Sequence, residues 1–99
     1  MSLKKYRWSK VYESAEEELQ EFLQARGIAA NRHDIEAYNE QTVLATADTR
    51  IWSAEGNASF TVDGKRYSMQ PGDVLELPSG AECVITTGLS NFAWYQSAS

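Results

Sequence analysis

The chain has 99 residues, a formal net charge of −5 and 42% hydrophobic residues, which fits one globular domain over residues 1–99. The negative charge argues against a nucleic-acid partner, because such binding depends on neutralising phosphates. No run approaches the ~18 apolar residues that a membrane helix needs. One cysteine excludes a disulfide within the chain, and no apolar signal-peptide stretch follows the first basic residues. We therefore expect a cytoplasmic protein.

The N-terminal segment mixes basic and aromatic side chains. Such a mixture is able to grip single-stranded nucleic acid, but the acidic run at 13–21 follows at once and would repel phosphate. We predict instead a solvated first strand or arm whose rings contact the rest of the protein. The residues concerned are Lys4, Lys5, Tyr6, Arg7, Trp8, Lys10 and Tyr12.

One helix is predicted at about 15–26. Ser14 and Glu17 have the spacing of a capping box, in which each side chain bonds the backbone N–H of the other residue. Apolar residues follow at helical spacing, and Gly27 is placed to end the helix. The apolar stripe of this helix predicts packing against the rest of the fold more than a partner site. The stripe consists of Ala15, Leu19, Phe22 and Leu23.

After Gly27 the pattern becomes that of short strands separated by turns. Asp63-Gly64 predicts a two-residue hairpin turn, and 70–73 predicts a type II turn around Pro71 and Gly72. Strands are predicted at 31–37, 41–46, 49–55, 59–62, 65–69, 74–77, 82–87 and 91–96. The predicted fold class is therefore all-β, a jelly-roll barrel over about 31–96 with one short N-terminal helix.

The segment 71–80, which reads Pro-Gly-Asp-Val-Leu-Glu-Leu-Pro-Ser-Gly, resembles a small single-domain cupin. Gly72, Pro78 and Gly80 match the spacing of that family's second motif, and Gly56 matches the last glycine of its first motif. The resemblance implies a cupin-like double-sheet barrel. In that family, two histidines, a glutamate and a third histidine in these motifs hold a catalytic metal inside the barrel.

The metal-binding motifs are degenerate in this chain. The family's ligand positions and its closing asparagine fall on Val43 and Ala45 (or, one residue shorter, Thr42 and Leu44), Thr49, Cys83 and Thr87. Iron, manganese or nickel needs several imidazole or carboxylate donors that converge on one point. We therefore expect no metal, no other cofactor and no catalytic residue at these positions.

Other residues of the right chemistry offer alternatives. His33, Asp34, Glu36 and Asp48 carry donor atoms, but strand alternation points His33 and Asp34 to opposite faces, so at most one of them faces inward. Cys83 would need a neighbouring base to act as a nucleophile. Since His33 is the only histidine and no spacing joins it to Cys83, the thiol is interpreted as a small buried apolar group.

The barrel interior is the candidate ligand-binding site. Its predicted lining is mostly small and apolar: Val43, Ala45, Thr49, Ile51, Cys83, Ile85 and Thr87. Such a lining either closes into a dry core or leaves a pocket for a small, mainly apolar molecule. Trp52 and Trp94 are predicted as interface anchors of a homodimer, with the alternative that these rings cover the helix.

Three functions remain open at this point. The first is a non-catalytic cupin-like barrel that binds a small apolar molecule or a partner chain without metal, as a homodimer. The second is a metal-dependent cupin enzyme of the oxygenase or isomerase type, with displaced ligands. The third is a structural or regulatory dimer that has no pocket. Metal analysis separates the second from the others, and an open cavity separates the first from the third.

Overall fold

The computed structural model describes residues 3–8 and 16–98. Within these ranges there are nine strands and one helix. They are β1 (Lys4–Arg7), α1 (Glu16–Ala25), β2 (Ala30–Ile35), β3 (Glu40–Leu44), β4 (Thr49–Glu55), β5 (Ala58–Val62), β6 (Lys65–Met69), β7 (Asp73–Leu77), β8 (Glu82–Thr87) and β9 (Phe92–Ala98).

The predicted helix and each predicted strand are present, with small shifts at their ends. The basic and aromatic N-terminal segment contributes strand β1 at the edge of a sheet. The predicted capping box at Ser14, and the basic and aromatic residues Lys10 and Tyr12, lie outside the described residues.

Two antiparallel sheets face each other. One has five strands in the order β1-β7-β4-β9-β2, and the other has four in the order β3-β8-β5-β6. Each sheet joins strands that are distant in sequence, as a jelly roll does to limit its free edges. The prediction of an all-β jelly-roll barrel with one short helix is confirmed. In the part of the chain that the structure describes, no helix is long and apolar enough to cross a membrane.

Apolar side chains fill the space between the sheets. This barrel core comprises Ile35, Ala45, Ile51, Ala58, Phe60, Val62, Met69, Leu75, Leu77, Cys83, Ile85, Phe92 and Trp94. The strands supply it by period-two alternation, which sends every second side chain to the same face. Burial of each large apolar side chain contributes about 1.5–3 kcal/mol, so this core is the main source of stability.

Helix α1 covers the outer face of the five-stranded sheet. The buried residues of this helix-side cluster are Leu19, Leu23, Trp52, Ala54, Val74, Ala93 and Tyr95. The helix ends in a Schellman motif, because the N–H of Ile28 donates to the carbonyl of Leu23 at 2.9 Å and the N–H of Gly27 to that of Gln24 at 3.1 Å. Ile28 also packs against the cluster, so the chain turns back onto the sheet as it enters β2.

A polar network fixes the N-terminal end of α1 to the sheet. Glu16 Oε2 accepts hydrogen bonds from Arg32 Nε at 2.8 Å and from the Tyr95 hydroxyl at 2.6 Å. Gln20 Nε2 donates to the same hydroxyl at 2.7 Å. The hydrogen bond from Arg32 is the main cause that holds the pKa of Glu16 below its usual range. The network therefore stabilises the docked helix through an ionised Glu16.

Two glycines with the same left-handed φ differ in their surroundings. Gly64 follows Asp63 in the β5–β6 turn, where φ is 51° at Asp63 and 77° at Gly64, as the predicted hairpin turn requires. Gly56 also has a φ of 77°. A Cβ atom at Gly56 would collide with the backbone carbonyl oxygen of Asn91, whereas a Cβ at Gly64 would meet no atom within 4 Å.

We expect Gly64→Ala to lower the free energy of unfolding by about 1 kcal/mol, the cost of a left-handed conformation. Gly56→Ala should cost roughly 1–3 kcal/mol more, because the β4–β5 loop must move away from the start of β9. Urea denaturation of both variants measures the difference. Equal losses would show that the close approach at Gly56 carries no energy.

We also expect the stabilisation from Glu16 to depend on pH. The pKa of Glu16 is lowered in the folded state from an ordinary value of 4.5, so its contribution is present above that pH and is lost as the pH falls through the folded-state pKa. Glu16→Gln should lower stability by a few tenths to about 1 kcal/mol near neutral pH, and the difference from the wild type should shrink as the pH falls below 4.5. Urea titrations across this pH range measure it, with the exposed Glu18→Gln as control. A difference that persists at low pH would contradict this assignment.

Candidate functional site

The positions that correspond to the metal ligands of the resembled family lie inside or beside the barrel core. Val43 on β3 pairs with Cys83 on β8, and the backbone N–H of Ala45 donates to the carbonyl of Ala81 at 2.9 Å. Thr49 begins β4 in the opposite sheet. Ala45 and Cys83 are buried within the barrel core, and Val43 packs against it. None of these four side chains carries an imidazole or a carboxylate.

Three aromatic rings lie in contact within the barrel core. Phe60, Phe92 and Trp94 are each 0% exposed. The Phe60 and Phe92 rings meet edge to face with centroids 5.7 Å apart, and the Phe92 and Trp94 rings stack at the same separation. Such ring pairs add stability beyond the area that they bury. This part of the barrel core is therefore aromatic.

Ile51, Cys83 and Ile85 are predicted to line the interior, and all three are fully buried. The three aromatic residues are not part of that predicted lining. A signal was available, since Phe92 and Trp94 alternate along one strand and Phe60 alternates with polar neighbours. Which face of each strand turns inward depends on the partner sheet, and the sequence does not contain that information.

The hydroxyl groups of the two threonines in the predicted lining bond to the backbone. Thr49 Oγ1 donates to the carbonyl of Ala47 at 2.8 Å. Thr87 Oγ1 donates to the carbonyl of Glu36 at 2.6 Å and accepts from the N–H of Asn39 at 2.9 Å. Both groups therefore stabilise loops at the ends of the barrel.

The two tryptophans predicted as interface anchors are buried within the chain, which corrects that prediction. Trp52 is 3% exposed beneath α1, where its Nε1 donates to Ser97 Oγ at 2.9 Å and its ring lies 5.8 Å from that of Phe22. Trp94 lies in the barrel core. Trp52 fits the alternative prediction, in which the rings pack against the helix. Neither ring is exposed enough to contact a second copy.

His33 and Asp34 point to opposite faces of β2, as strand alternation predicted. The His33 ring stacks on Trp94 with centroids 5.3 Å apart, whereas Asp34 Oδ2 accepts from Arg32 Nη1 at 2.9 Å on the outer face. Across residues 3–8 and 16–98, no group of three or more His, Cys, Asp or Glu side chains is arranged to hold a metal ion.

The surface cavities lie almost entirely outside the predicted lining. Cavities of about 420, 390, 240 and 230 Å³ open on the surface. Of the predicted interior residues only Thr49 lines one of them, the smallest, which also contains His33, Asp48 and Gln96. These four cavities therefore lie at the ends and edges of the described part of the barrel.

Burial raises the pKa of the Cys83 thiol to about 12, so the thiol is protonated near neutral pH and is a poor nucleophile. We expect iodoacetamide to leave Cys83 unmodified in the folded protein and to modify it in denaturant. Cys83→Ala should keep the fold and cost about 1 kcal/mol of packing energy. Mass spectrometry and urea denaturation measure these effects. Rapid modification of the folded protein would contradict them.

Comparison with known proteins gives the fold. No known family profile and no curated protein sequence matches the chain. Solved structures do match. A protein of the DUF861 family from Thermotoga maritima has a TM-score of 0.70 at 18% identity, with 99% of this chain and 100% of that one covered. A cupin superfamily protein from Desulfitobacterium hafniense has a TM-score of 0.63 at 15% identity, covering 98% of this chain and 76% of that one.

Part of an enzyme has a similar fold. Salicylate 1,2-dioxygenase from Pseudoaminobacter salicylatoxidans has a TM-score of 0.60 at 17% identity over 83% of this chain and 30% of the enzyme. At these identities the comparisons establish architecture alone, and they agree with the resemblance seen at Gly72, Pro78 and Gly80. The chain has the cupin fold.

Proposed function

We propose that this protein is a cupin-like barrel that binds a ligand or a partner chain without metal and without catalysis. The observation that carries the proposal is the chemistry of the positions that match the metal ligands of the resembled family. Val43 and Ala45 have no donor atom, Thr49 uses its hydroxyl on the backbone, and the Cys83 thiol is held protonated by burial. A transition metal exchanges its water only for converging imidazole, carboxylate or thiolate groups.

The aromatic interior supports the same proposal. A ligand at the centre of the barrel would have to displace rings that are fully buried and stacked on one another. Interiors packed in this way resist such insertion at a cost of roughly 1–3 kcal/mol or more. The predicted pocket for an apolar molecule among Ile51, Cys83 and Ile85 is therefore the less favoured location, and a polar cavity at the surface is the favoured one.

The proposal includes a homodimer. Helix α1 covers the outer face of the five-stranded sheet, whereas Leu44, 59% exposed, and the partly buried Val84 lie on the outer face of the four-stranded sheet. Light scattering of the purified protein should give the mass of two chains. A monomer mass would refute the dimer and would leave metal-free binding intact.

We expect the protein to retain far less than one metal ion per chain after incubation with iron, manganese, nickel or zinc salts and dialysis. Its melting temperature should not rise with these ions, because an ion that binds only the folded state would raise it. Elemental analysis and thermal denaturation of untagged protein measure both.

His33→Ala is the matched control, since it removes the only imidazole in the chain. Weak surface binding through this side chain would disappear in the variant. Stoichiometric metal that survives dialysis would overturn the proposal and favour a metal-dependent enzyme with displaced ligands.

A further inference from the structure

No described element covers the outer face of the four-stranded sheet. Helix α1 packs on the outer face of the five-stranded sheet, and it is the one helix in residues 3–8 and 16–98. Cross-strand pairing and alternation assign ten side chains to the uncovered face. We call this set the outer four-strand face: Glu40, Thr42, Leu44, Ser59, Thr61, Arg66, Ser68, Glu82, Val84 and Thr86.

The middle row of this face shows how the assignment follows. Phe60 and Val62 on β5 are buried in the barrel core, so Thr61 between them points away from it. Thr61 pairs with Val84 on β8 and with Arg66 on β6. Because directly paired residues share one face of a sheet, these three side chains form a row across the outer four-strand face.

The centre of the outer four-strand face carries no charge. Ser59, Thr61 and Val84 lie there and are partly buried by their neighbours. Leu44, which is 59% exposed, adds apolar surface at one corner. The centres of protein interfaces are depleted of charged residues and are surrounded by a polar rim. This face has the same arrangement.

Charges of opposite sign lie at opposite sides of the face. Arg66 lies on the edge strand β6, whereas Glu40 lies on the edge strand β3 and Glu82 on the adjoining β8. All three side chains are exposed. Within the part of the chain that the structure describes, none of them forms an ion pair. Each charge is therefore available to another molecule.

A two-fold axis along the strands brings these charges together. It places two copies of the face against each other with their strands aligned, as in packed sheets, and it reverses the order of the strands. Strand β6 of one copy then lies over β3 of the other, so Arg66 meets the side that carries Glu40 and Glu82. Two-fold symmetry makes the same contact twice. The charges of this face are therefore complementary to those of a second copy.

We propose that two copies of this chain dimerise through the outer four-strand face, with Arg66 of each copy paired to Glu40 or Glu82 of the other. This inference rests on the homodimer in the proposed function and gives it a surface and an orientation. Ten residues from each chain are fewer than the ~20–30 of a standard interface. The dimer should therefore dissociate on dilution, with a dissociation constant on the order of 10 μM.

The test is sedimentation equilibrium of the full chain between about 1 μM and 1 mM. Arg66→Glu should weaken dimerisation at least about tenfold, because it sets like charges opposite each other. Lys65→Glu is the matched control, with the same charge change on the same strand. Lys65 pairs with the core residue Val62, and its ammonium lies 5.4 Å from the centre of the Tyr67 ring. Circular dichroism checks that each variant is folded.

A mixing experiment tests the orientation. A variant that carries both Glu40→Arg and Glu82→Arg should also dimerise poorly, since its Arg66 then faces arginines. Mixed with the Arg66→Glu variant, it should form heterodimers about as tightly as the wild type dimerises, because both contacts regain opposite charges. Mixed with the Lys65→Glu variant, it should bind more weakly, because one contact still sets arginines opposite each other.

Equal dimerisation of the Arg66 and Lys65 variants, or absence of heterodimers in the first mixture, would overturn the assignment of this face, while the homodimer itself would stand. A wild-type chain that stays monomeric up to about 1 mM would overturn the homodimer and this inference together. Metal-free binding is tested separately by elemental analysis, so its failure is distinguishable from both outcomes.

Discussion

Strand β9 is the element on which both layers of the structure depend. Its alternating side chains serve two separate cores, because Phe92 and Trp94 enter the barrel core while Ala93 and Tyr95 enter the helix-side cluster. Hydrogen-bonded partners on both sides, β4 and β2, hold it in register. A slip of one residue would exchange the two faces and place large rings where alanine and tyrosine now contact the helix. The fold tolerates no such slip.

The aromatic core that β9 builds with Phe60 limits the space inside the barrel. The ring stack fills part of the barrel core, and Val43, Ala45, Thr49 and Cys83 carry no imidazole or carboxylate. Several surface cavities lie at the ends and edges of the barrel. A binding site at the end of the barrel is compatible with a rigid interior, because side chains there can be substituted without disturbing the packed rings.

Polar contacts complement the two cores at the edges of the five-stranded sheet. Arg32 forms an ion pair with Glu16 of the helix, and Arg7 forms one with the buried Asp73 near the opposite edge.

An irregularity in β4 contributes to the polar contacts around Arg32. Register shifts between Ser53 and Glu55, which turns Glu55 to the outer face, where its carboxylate lies 3.7 Å from Arg32. A β-bulge thus redirects a charged side chain that regular alternation would have turned inward.

The sequence by itself determined the strands, the turn at Asp63-Gly64 and the absence of metal donors at Val43, Ala45, Thr49 and Cys83, because these follow from local patterning and side-chain chemistry. Tertiary structure alone decided that Trp52 lies under α1, that Trp94 lies in the barrel core and that Lys5 lies beside Asp73. Each of these depends on pairing between distant segments, such as Lys5 with Leu75 and Thr49 with Ala98. Alternation divides a strand into two faces, but only the opposing sheet or helix determines which face becomes the inside.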